Sequence, residues 1–523
     1  MKRFTFGIVV ALSTVILPFS SFASATSSVD YEKSVGQVDG ADTVNWVIEA
    51  TSDGGYVVGG QTMRCYKITA NSDAEPNSSG GGLGSMMLFD EDAQEGELVD
   101  FQKCIDYMQR EGMMNKDNLV GDAASRILEK SALAYVCLQD VFAPAALPQG
   151  ITGNLHDDNT YYVATCVDYI AKFRVNGTRE WLTTIEDRDR PTAVRQIGNK
   201  YLLSTERGDI YEFTSNGAKN GDGKRVDISN DQVITKSYFN SDGSMIALAV
   251  NNNGTGIPSI VTFNQDGTVK ATINSGQSDW YYALIPIGND EYVTNHERFD
   301  EEGYGRGMVE IISGKNLTIT PHPVNDKYEH GVNLISANNR GDVMIVPIIY
   351  VEDDSSEPTA TPMYSYDRTG KKLGEVMLPP VEKLIEESIG AKDFTYMYYT
   401  WNLENESEMP VVHITKYNSN MSVRFKYDGT GYEYIADVAE LRDESLAGAG
   451  VAVGQKSNMP VTGAANGGYL RLVAKQQTNP TPTPSERPVD NPKTWDAVDT
   501  VATIGGVALL GLGFFIRRNL NRR

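Results

Sequence analysis

Histidine is scarce in this chain: His156, His296, His322, His330 and His413 are all there is in 523 residues. None stands in a His-Glu-x-x-His pair, which excludes the commonest helical zinc-protease arrangement. No Gly-x-Ser-x-Gly turn presents a serine nucleophile, and no Gly-Lys-Ser/Thr loop cradles phosphate. A repeated Ser-x-Asp-x-Gly-x-x-x-Trp box is also missing. Positive charge is short, with 46 Lys and Arg against 69 Asp and Glu, a formal net charge of −23. Such a surface repels nucleic acid and anionic lipid. Cysteine is limited to four, with no Cys-x-x-Cys. Long helical periodicities are few, and long apolar runs occur only at the two ends.

At the N-terminus, Lys2 and Arg3 precede an apolar stretch over 4–17 that is short for a membrane span. Ala23-Ser24-Ala25 then offers small residues for cleavage, with Ala23 as a second option, so 1–25 reads as a signal peptide. Export makes disulfides permissible. At the C-terminus, 501–516 is uncharged and, as a helix, would span about 24 Å. Arg517, Arg518, Arg522 and Arg523 follow it and are expected to stay cytoplasmic. Segment 495–523 is thus the expected transmembrane helix and basic tail. Before it, 478–494 is rich in Pro and Thr; its residues 478–492, extended as polyproline, reach roughly 45 Å.

Between the ends, two turns recur. A small-polar-Gly turn precedes an apolar strand at Ser52-Asp53-Gly54-Gly55, Gly198-Asn199, Ser241-Asp242-Gly243, Gly288-Asn289-Asp290, Asn339-Arg340-Gly341 and Asn466-Gly467-Gly468, with a degenerate copy expected at 404–408. A second turn places an aromatic three residues before Asn-Gly or Asp-Gly: Phe173 before Asn176-Gly177, Phe213 before Asn216-Gly217, Phe263 before Asp266-Gly267 and Phe425 before Asp428-Gly429. Tyr366 before Thr369-Gly370 is a looser copy. Asn-Gly and Asp-Gly supply the positive φ angles that two-residue hairpins need. Each unit therefore reads as a four-stranded antiparallel sheet. Once a long insertion is set aside, units recur at roughly 43–65 residues, in the range of propeller blades. The expected fold is all-β: a β-propeller of about seven four-stranded blades over 26–477, with six or eight blades, a β-sandwich pair or a β-solenoid as alternatives. Residues 29–36 are expected to supply the missing outer strand of the last, incomplete unit and so close the ring.

The insertion, 64–161, breaks the first blade. Helical spacing over 97–113 and 122–142 predicts an α-helical hairpin. All four cysteines belong here, and four allow three pairings. Cys65, at the exit of the second strand, and Cys166, before the third, are expected opposite one another. Cys104 and Cys137 would then join the two helices. Zinc is the rival reading, with His156 as the nearby histidine.

Candidate chemistry is thin. The run 295–302, with His296, His322 and His330, is expected to lie in loops at one rim, where it could hold a metal or act as acid and base. A charged connecting loop is the simpler reading. Asp90-Glu91-Asp92 and Glu352-Asp353-Asp354 could collect Ca²⁺ but lack the alternating spacing of a dedicated site. No other cofactor is expected. Aromatics gather at Trp280, Tyr281 and Tyr282 and around Tyr398 and Trp401. Exposed, they would form a surface for sugar or protein; buried, they would be packing between blades.

The order of C-terminal features carries one resemblance. A Pro/Thr stretch, then Asn491-Pro492-Lys493-Thr494, then the apolar run and the arginines, resembles the cell-wall sorting signal of Gram-positive surface proteins in its Asn-Pro-x-Thr branch. The resemblance implies cleavage after Thr494 by a sortase-type transpeptidase and linkage to the wall; the residue that follows is Trp495 in place of the usual Gly. Units such as TSDGGYVVGG and DYIAKFRVNGTREW are also similar to propeller-type repeats of bacterial secreted proteins. The function expected is an envelope-anchored extracellular binding or adhesion protein, more a binder than an enzyme, with an unknown protein or glycan ligand and no nucleic-acid partner. The alternatives are a surface glycan hydrolase or lyase on a propeller scaffold, and a structural envelope protein.

Overall fold

The computed structural model describes residues 28–34, 43–69, 97–99, 160–185, 189–229, 232–251, 258–273, 279–299, 305–348, 362–377, 387–389, 393–400, 411–429, 433–453, 465–466 and 468–473. Their strands pair only as antiparallel neighbours, in seven sheets. The first holds Thr43–Ala50, Tyr56–Thr69, Thr160–Phe173 and Arg179–Ile185 in that order, with Glu97–Val99 added to the second strand. The second sheet is Pro191–Ile197, Lys200–Thr205, Asp209–Thr214 and Lys224–Arg225, and the third is Gln232–Phe239, Met245–Asn251, Pro258–Phe263 and Val269–Ile273. The fourth runs Asp279–Gly288, Glu291–Phe299, Gly305–Ser313, Ile319–Pro321; the fifth, Val332–Ala337, Val343–Pro347, Pro362–Tyr366, Lys372–Met377. The sixth is Glu387–Ile389, Phe394–Thr400, Val411–Tyr417 and Val423–Asp428. The seventh begins with Glu433–Glu440, Leu446–Val453 and Gly468–Val473 and takes its outer strand from the other end of the chain, Ser28–Ser34. Ala465–Asn466 also pairs with Leu446–Val453.

Consecutive sheets pack face to face. Val57 and Ile170 of the first meet Leu203 and Phe213 of the second, and Leu202 meets Ile234 and Ala247 of the third. Leu248 and Ile260 meet Leu284 and Ile312 of the fourth, whose Val293 and Val309 meet Leu334 and Ile345 of the fifth. Ile335 and Met344 meet Phe394 and Tyr396 of the sixth. Lys416 and Arg424 of the sixth pair with Glu440 and Glu444 of the seventh. The ring closes where Ala439 and Leu441 of the seventh meet Ile48 and Tyr56 of the first. This is a β-propeller.

Burial on both faces explains the composition of the strands. The third strand of the third sheet, Pro258–Phe263, is buried at every position, while its outer neighbour Val269–Ile273 is largely exposed. Bulges recur in the first strand of six sheets, at Trp46, Thr192, Thr235, Tyr282, Ile335 and Ala436, and the fourth sheet has a second at Ile287. A bulge bends the strand and re-aims its side chains, and here it falls at the same level in the first, second, third, fourth and seventh sheets, while in the fifth it lies two residues nearer the turn.

Several expectations need correction. Glu97–Val99 is a strand, not the start of a helix; the rest of the expected hairpin, 100–142, lies outside the described residues. The stem hairpin is longer than expected and carries the ladder to Thr69 opposite Thr160, so the insertion lies within 70–159 rather than 64–161. Cys65 pairs in register with Ala164, and Cys166 with Met63, so the two cysteines are offset diagonally rather than directly opposite. Cys104 and Cys137 lie outside the described residues, as do 1–25, the stalk and sorting motif 478–494, and 495–523. Among the described residues no helix is long and apolar enough to cross a membrane.

Candidate functional site: the central cavity

The first strands of the seventh, first, second and third sheets, with residues 286 and 288–292 of the fourth and Asn339 of the fifth, line a cavity of about 470 Å³. As the inner edges of their sheets, these strands need partners for their outward backbone groups. Charged side chains supply some. Asp437 Oδ2 accepts from the Ile48 amide at 3.0 Å, linking the seventh sheet to the first. Arg195 Nη1 donates to the Phe239 carbonyl, linking the second to the third.

Because the bulges align the strands, residues at equal distance beyond them occupy equivalent levels. Lys236 and Asp437 each follow the bulged residue directly, and Glu49 and Arg195 each stand three beyond it. All four line the cavity. Arg195 Nε approaches Glu49 Oε1 at 3.4 Å. Glu49 keeps 36 % of its side-chain surface open, and that surface faces the cavity. Burial pushes its carboxyl up to about 8; Arg195 opposes the shift and Asp437 adds to it. Near neutral pH this carboxyl holds its proton.

Other charges around the cavity are engaged by neighbouring strands. Asp290 pairs with Lys315 at 2.7 Å, and Glu291 takes two bonds from Arg368 at 3.0 and 3.1 Å. Arg190 lies over the Trp46 ring at 5.7 Å. Thr192, Ser204 and Ser237 form a buried triangle of hydroxyls 2.8–3.2 Å apart between the second and third sheets.

The residues singled out in the sequence do not converge on this cavity. Tyr281 and Tyr398 are buried, at 5 % and 3 % exposure, and so serve as packing between sheets rather than as a contact surface. Each stacks on a histidine: Tyr281 on His296 at 4.7 Å, Tyr398 on His413 at 4.8 Å. Tyr282, at a bulge, is exposed, and its hydroxyl donates to Glu297 at 2.7 Å. Trp280 lies in strand Asp279–Gly288, and Trp401 is outside the described residues.

The histidine loop is also corrected. Residues 295–299 continue the strand Glu291–Phe299, which places His296 in mid-sheet, buried, with its Nδ1 3.5 Å from Glu310. His322 caps the short 3-10 helix Pro323–Lys327, its Nδ1 accepting from the Val324 amide at 3.2 Å. Among the described residues no three His, Cys, Asp or Glu side chains gather as a metal site. Asp90, Glu91, Asp92, Glu352, Asp353 and Asp354 lie outside the described residues. Sequence reasoning missed Glu49, Arg195, Lys236 and Asp437, because isolated charges in separate repeats form no local motif. The repeated bulge was the signal that aligns them, and it is invisible without the ladder register.

No family model matches the chain, and no curated protein matches it in sequence. Among solved structures it is similar to the β-propeller domain of the Trilobed protease from Pyrococcus furiosus, at 11 % identity over 58 % of this chain and 86 % of that one, with a TM-score of 0.34. It is also similar to BBS1N in complex with ARL6DN, at 12 % identity over 64 % and 94 %, TM-score 0.32. A third is BamB from Moraxella catarrhalis, at 12 % identity over 59 % and 79 %, TM-score 0.26. Likeness at this level carries no functional argument, and the architecture stands on the chain's own ring of sheets.

Proposed function

We propose that this chain is an extracellular binding protein tethered to the cell envelope, with the β-propeller as its head and one blade for each of the seven sheets. The observation that carries this reading is the adjacency of the chain's outermost described strands. Ser28–Ser34 begins just after the expected leader, and Gly468–Val473 ends just before the expected stalk; the two pair side by side. On this reading the head fills the stretch between leader and stalk, and the pairing of Ser28 with Val473 would set the two tethering ends close together. Propellers host many functions, so the fold alone names no ligand. His330 lies exposed in a turn, but burial of His296 inside a sheet and of His322 at a helix cap weighs against the surface-enzyme alternative, which needs all three at the propeller mouth.

Mass spectrometry of wall digests tests the tether. A chain ending at Thr494 and joined to a wall fragment is expected; an intact Arg523 end in every peptide would overturn wall linkage. Adherence tests the binding role: cells bearing the chain should adhere to immobilised glycans or proteins more than cells lacking it, and equal adherence would refute it.

A further inference from the structure

We infer that the central cavity binds a free α-amino acid, its ammonium group toward Glu49 and Asp437 and its carboxylate toward Arg195 and Lys236. The inference concerns the cavity alone and holds whether or not the head is tethered.

The first argument is the order of charge around the axis. Both negative groups come from adjoining sheets, the seventh and first, and both positive groups from the next two, the second and third. They form two levels of one cation and one anion each, fixed by the aligned bulges. With Glu49 ionised, as a bound ammonium would make it, these four groups carry no net charge and the wall is polarised along this arc of the ring. A simple cation would gain at one wall and lose at the other, as would a simple anion. A molecule with both charges gains at both.

The second argument is spacing. Opposite charges stand side by side in the wall, with Arg195 Nε 3.4 Å from Glu49 Oε1. A ligand matched to such neighbours carries its own charges a few ångströms apart, as an α-amino acid does. The pairing between Arg195 and Glu49 leaves room for competition, since Arg195 also serves the Phe239 carbonyl. The volume, about 470 Å³, lies within the ordinary range of small-molecule sites. Val47, Pro191 and Ala193 add an apolar part to the same lining.

The third argument separates this ligand from a metal ion. Calcium takes six to eight oxygen ligands, whereas Glu49 and Asp437 stand beside a guanidinium and an ammonium, and Asp290, Glu291 and Glu440 on the same lining are paired with Lys315, Arg368 and Lys416. Ligand ammonium beside Glu49 would also displace the proton that burial holds on its carboxyl, so binding near pH 7 should release a proton.

The test uses the purified full chain and a mixture of the twenty standard amino acids at millimolar concentration. Saturation-transfer NMR identifies a binder, and calorimetry then compares it with its N-acetyl and its carboxamide derivatives. At least one amino acid is expected to bind, with each derivative about tenfold weaker or worse, because each leaves one wall uncompensated. Calorimetry in buffers of different ionisation heat should show proton release that Glu49→Gln abolishes. No binding by any amino acid would overturn the inference, as would a derivative that binds as well as its parent. Should Glu49→Gln fail to fold, the comparison of derivatives on the unaltered chain decides alone.

Discussion

Lys172 and Asp53 form an ion pair inside the first sheet, Nζ 3.0 Å from Oδ2, with the lysine side chain 1 % exposed and the aspartate 53 %. Lys172 also donates to the Phe173 carbonyl at 2.9 Å and lies 3.7 Å from Glu180. Asp53 belongs to the turn itself, accepting from Thr51 at 2.6 Å and from the Gly55 amide at 3.0 Å. Partial burial raises its carboxyl, but the bonds from Thr51, Lys172 and Gly55 and the Lys172 charge outweigh that and hold it at about 2. A carboxyl depressed in the folded state stabilises above its unfolded value, near 3.9, and that contribution is lost as pH falls toward 2. Asp53→Asn should cost about 1 kcal/mol at pH 7, because Asp53 is half exposed and Lys172 keeps the Phe173 carbonyl and Glu180 as partners. It should also flatten the loss of stability between pH 4 and 2. Urea unfolding across that range, on both chains, checks both outcomes.

His322 titrates in the opposite chemical sense with the same pH trend. It is 1 % exposed, and burial lowers it to about 4, partly offset by Asp367. Because the unfolded imidazole takes up a proton near 6.5, stability is present above that pH and is lost as pH falls from 6.5 toward 4. The full loss is on the order of 3 kcal/mol. Asn can keep the cap on the Val324 amide while removing the titration. His322→Asn should therefore match the parent at pH 7.5 and exceed it at pH 4.5 in thermal midpoint. A variant that loses stability in parallel with the parent over this range would refute the assignment.

Turn chemistry carried most of what the sequence could tell about the fold, and its failures have one physical cause. Gly54, Gly198, Gly243, Gly288 and Gly341 all take positive φ between first and second strands. In the seventh sheet that connection is 441–445, where Glu444 takes φ 66° without a glycine. Asn466-Gly467 instead precedes the third strand. In the sixth sheet the connection is 390–393, and the expected copy at 404–408 falls between second and third strands. Asp428-Gly429 follows the outer strand there; the turn before that strand has Met421 at φ 66°. Leu317, at φ 54°, does likewise in the fourth sheet. Glu444 is bonded by Arg424, and Met421 and Leu317 are buried, so tertiary contacts offset a conformation that costs roughly 1–2 kcal/mol. The cavity charges were illegible for a different reason: they are neighbours only after the ring has closed.

Glycines needed for conformation and glycines needed for space should separate on substitution. Gly198 has φ +62° and nothing within 4 Å of an added Cβ. Gly198→Ala should cost about 1 kcal/mol through backbone strain alone. At Gly60 an added Cβ would meet the Val44 carbonyl oxygen at 2.3 Å and the Tyr169 ring at 2.5 Å. Tyr169 is fully buried, with its hydroxyl bonded to Asn45 at 2.5 Å, so it has little room to yield. Gly60→Ala should cost about 3 kcal/mol or more. Chemical denaturation of the two variants ranks them, and a reversed order would contradict the packing of the first sheet.

Ring closure depends on a strand borrowed from the far end of the chain. Ser28–Ser34 pairs with Gly468–Val473 from Ser28 opposite Val473 to Ser34 opposite Gly468. Deleting 26–36 removes the outer strand of the seventh sheet and leaves Gly468–Val473 as an open edge. Each lost backbone hydrogen bond costs about 0.5–1.5 kcal/mol, so the seventh sheet should loosen by a few kcal/mol in all. Hydrogen exchange should rise first in Gly468–Val473 and only weakly in the third sheet, which lies elsewhere in the ring. An unpaired edge also invites pairing between chains, so the truncated chain should self-associate at concentrations where the parent stays monodisperse. Adding the peptide SVDYEKS should reverse both effects, because the groove it fills is defined by backbone pairing rather than by covalent connection. Unchanged exchange in Gly468–Val473 after the deletion would show that the ring is held shut by face-to-face packing of the seventh sheet on the first, and that the borrowed strand is dispensable.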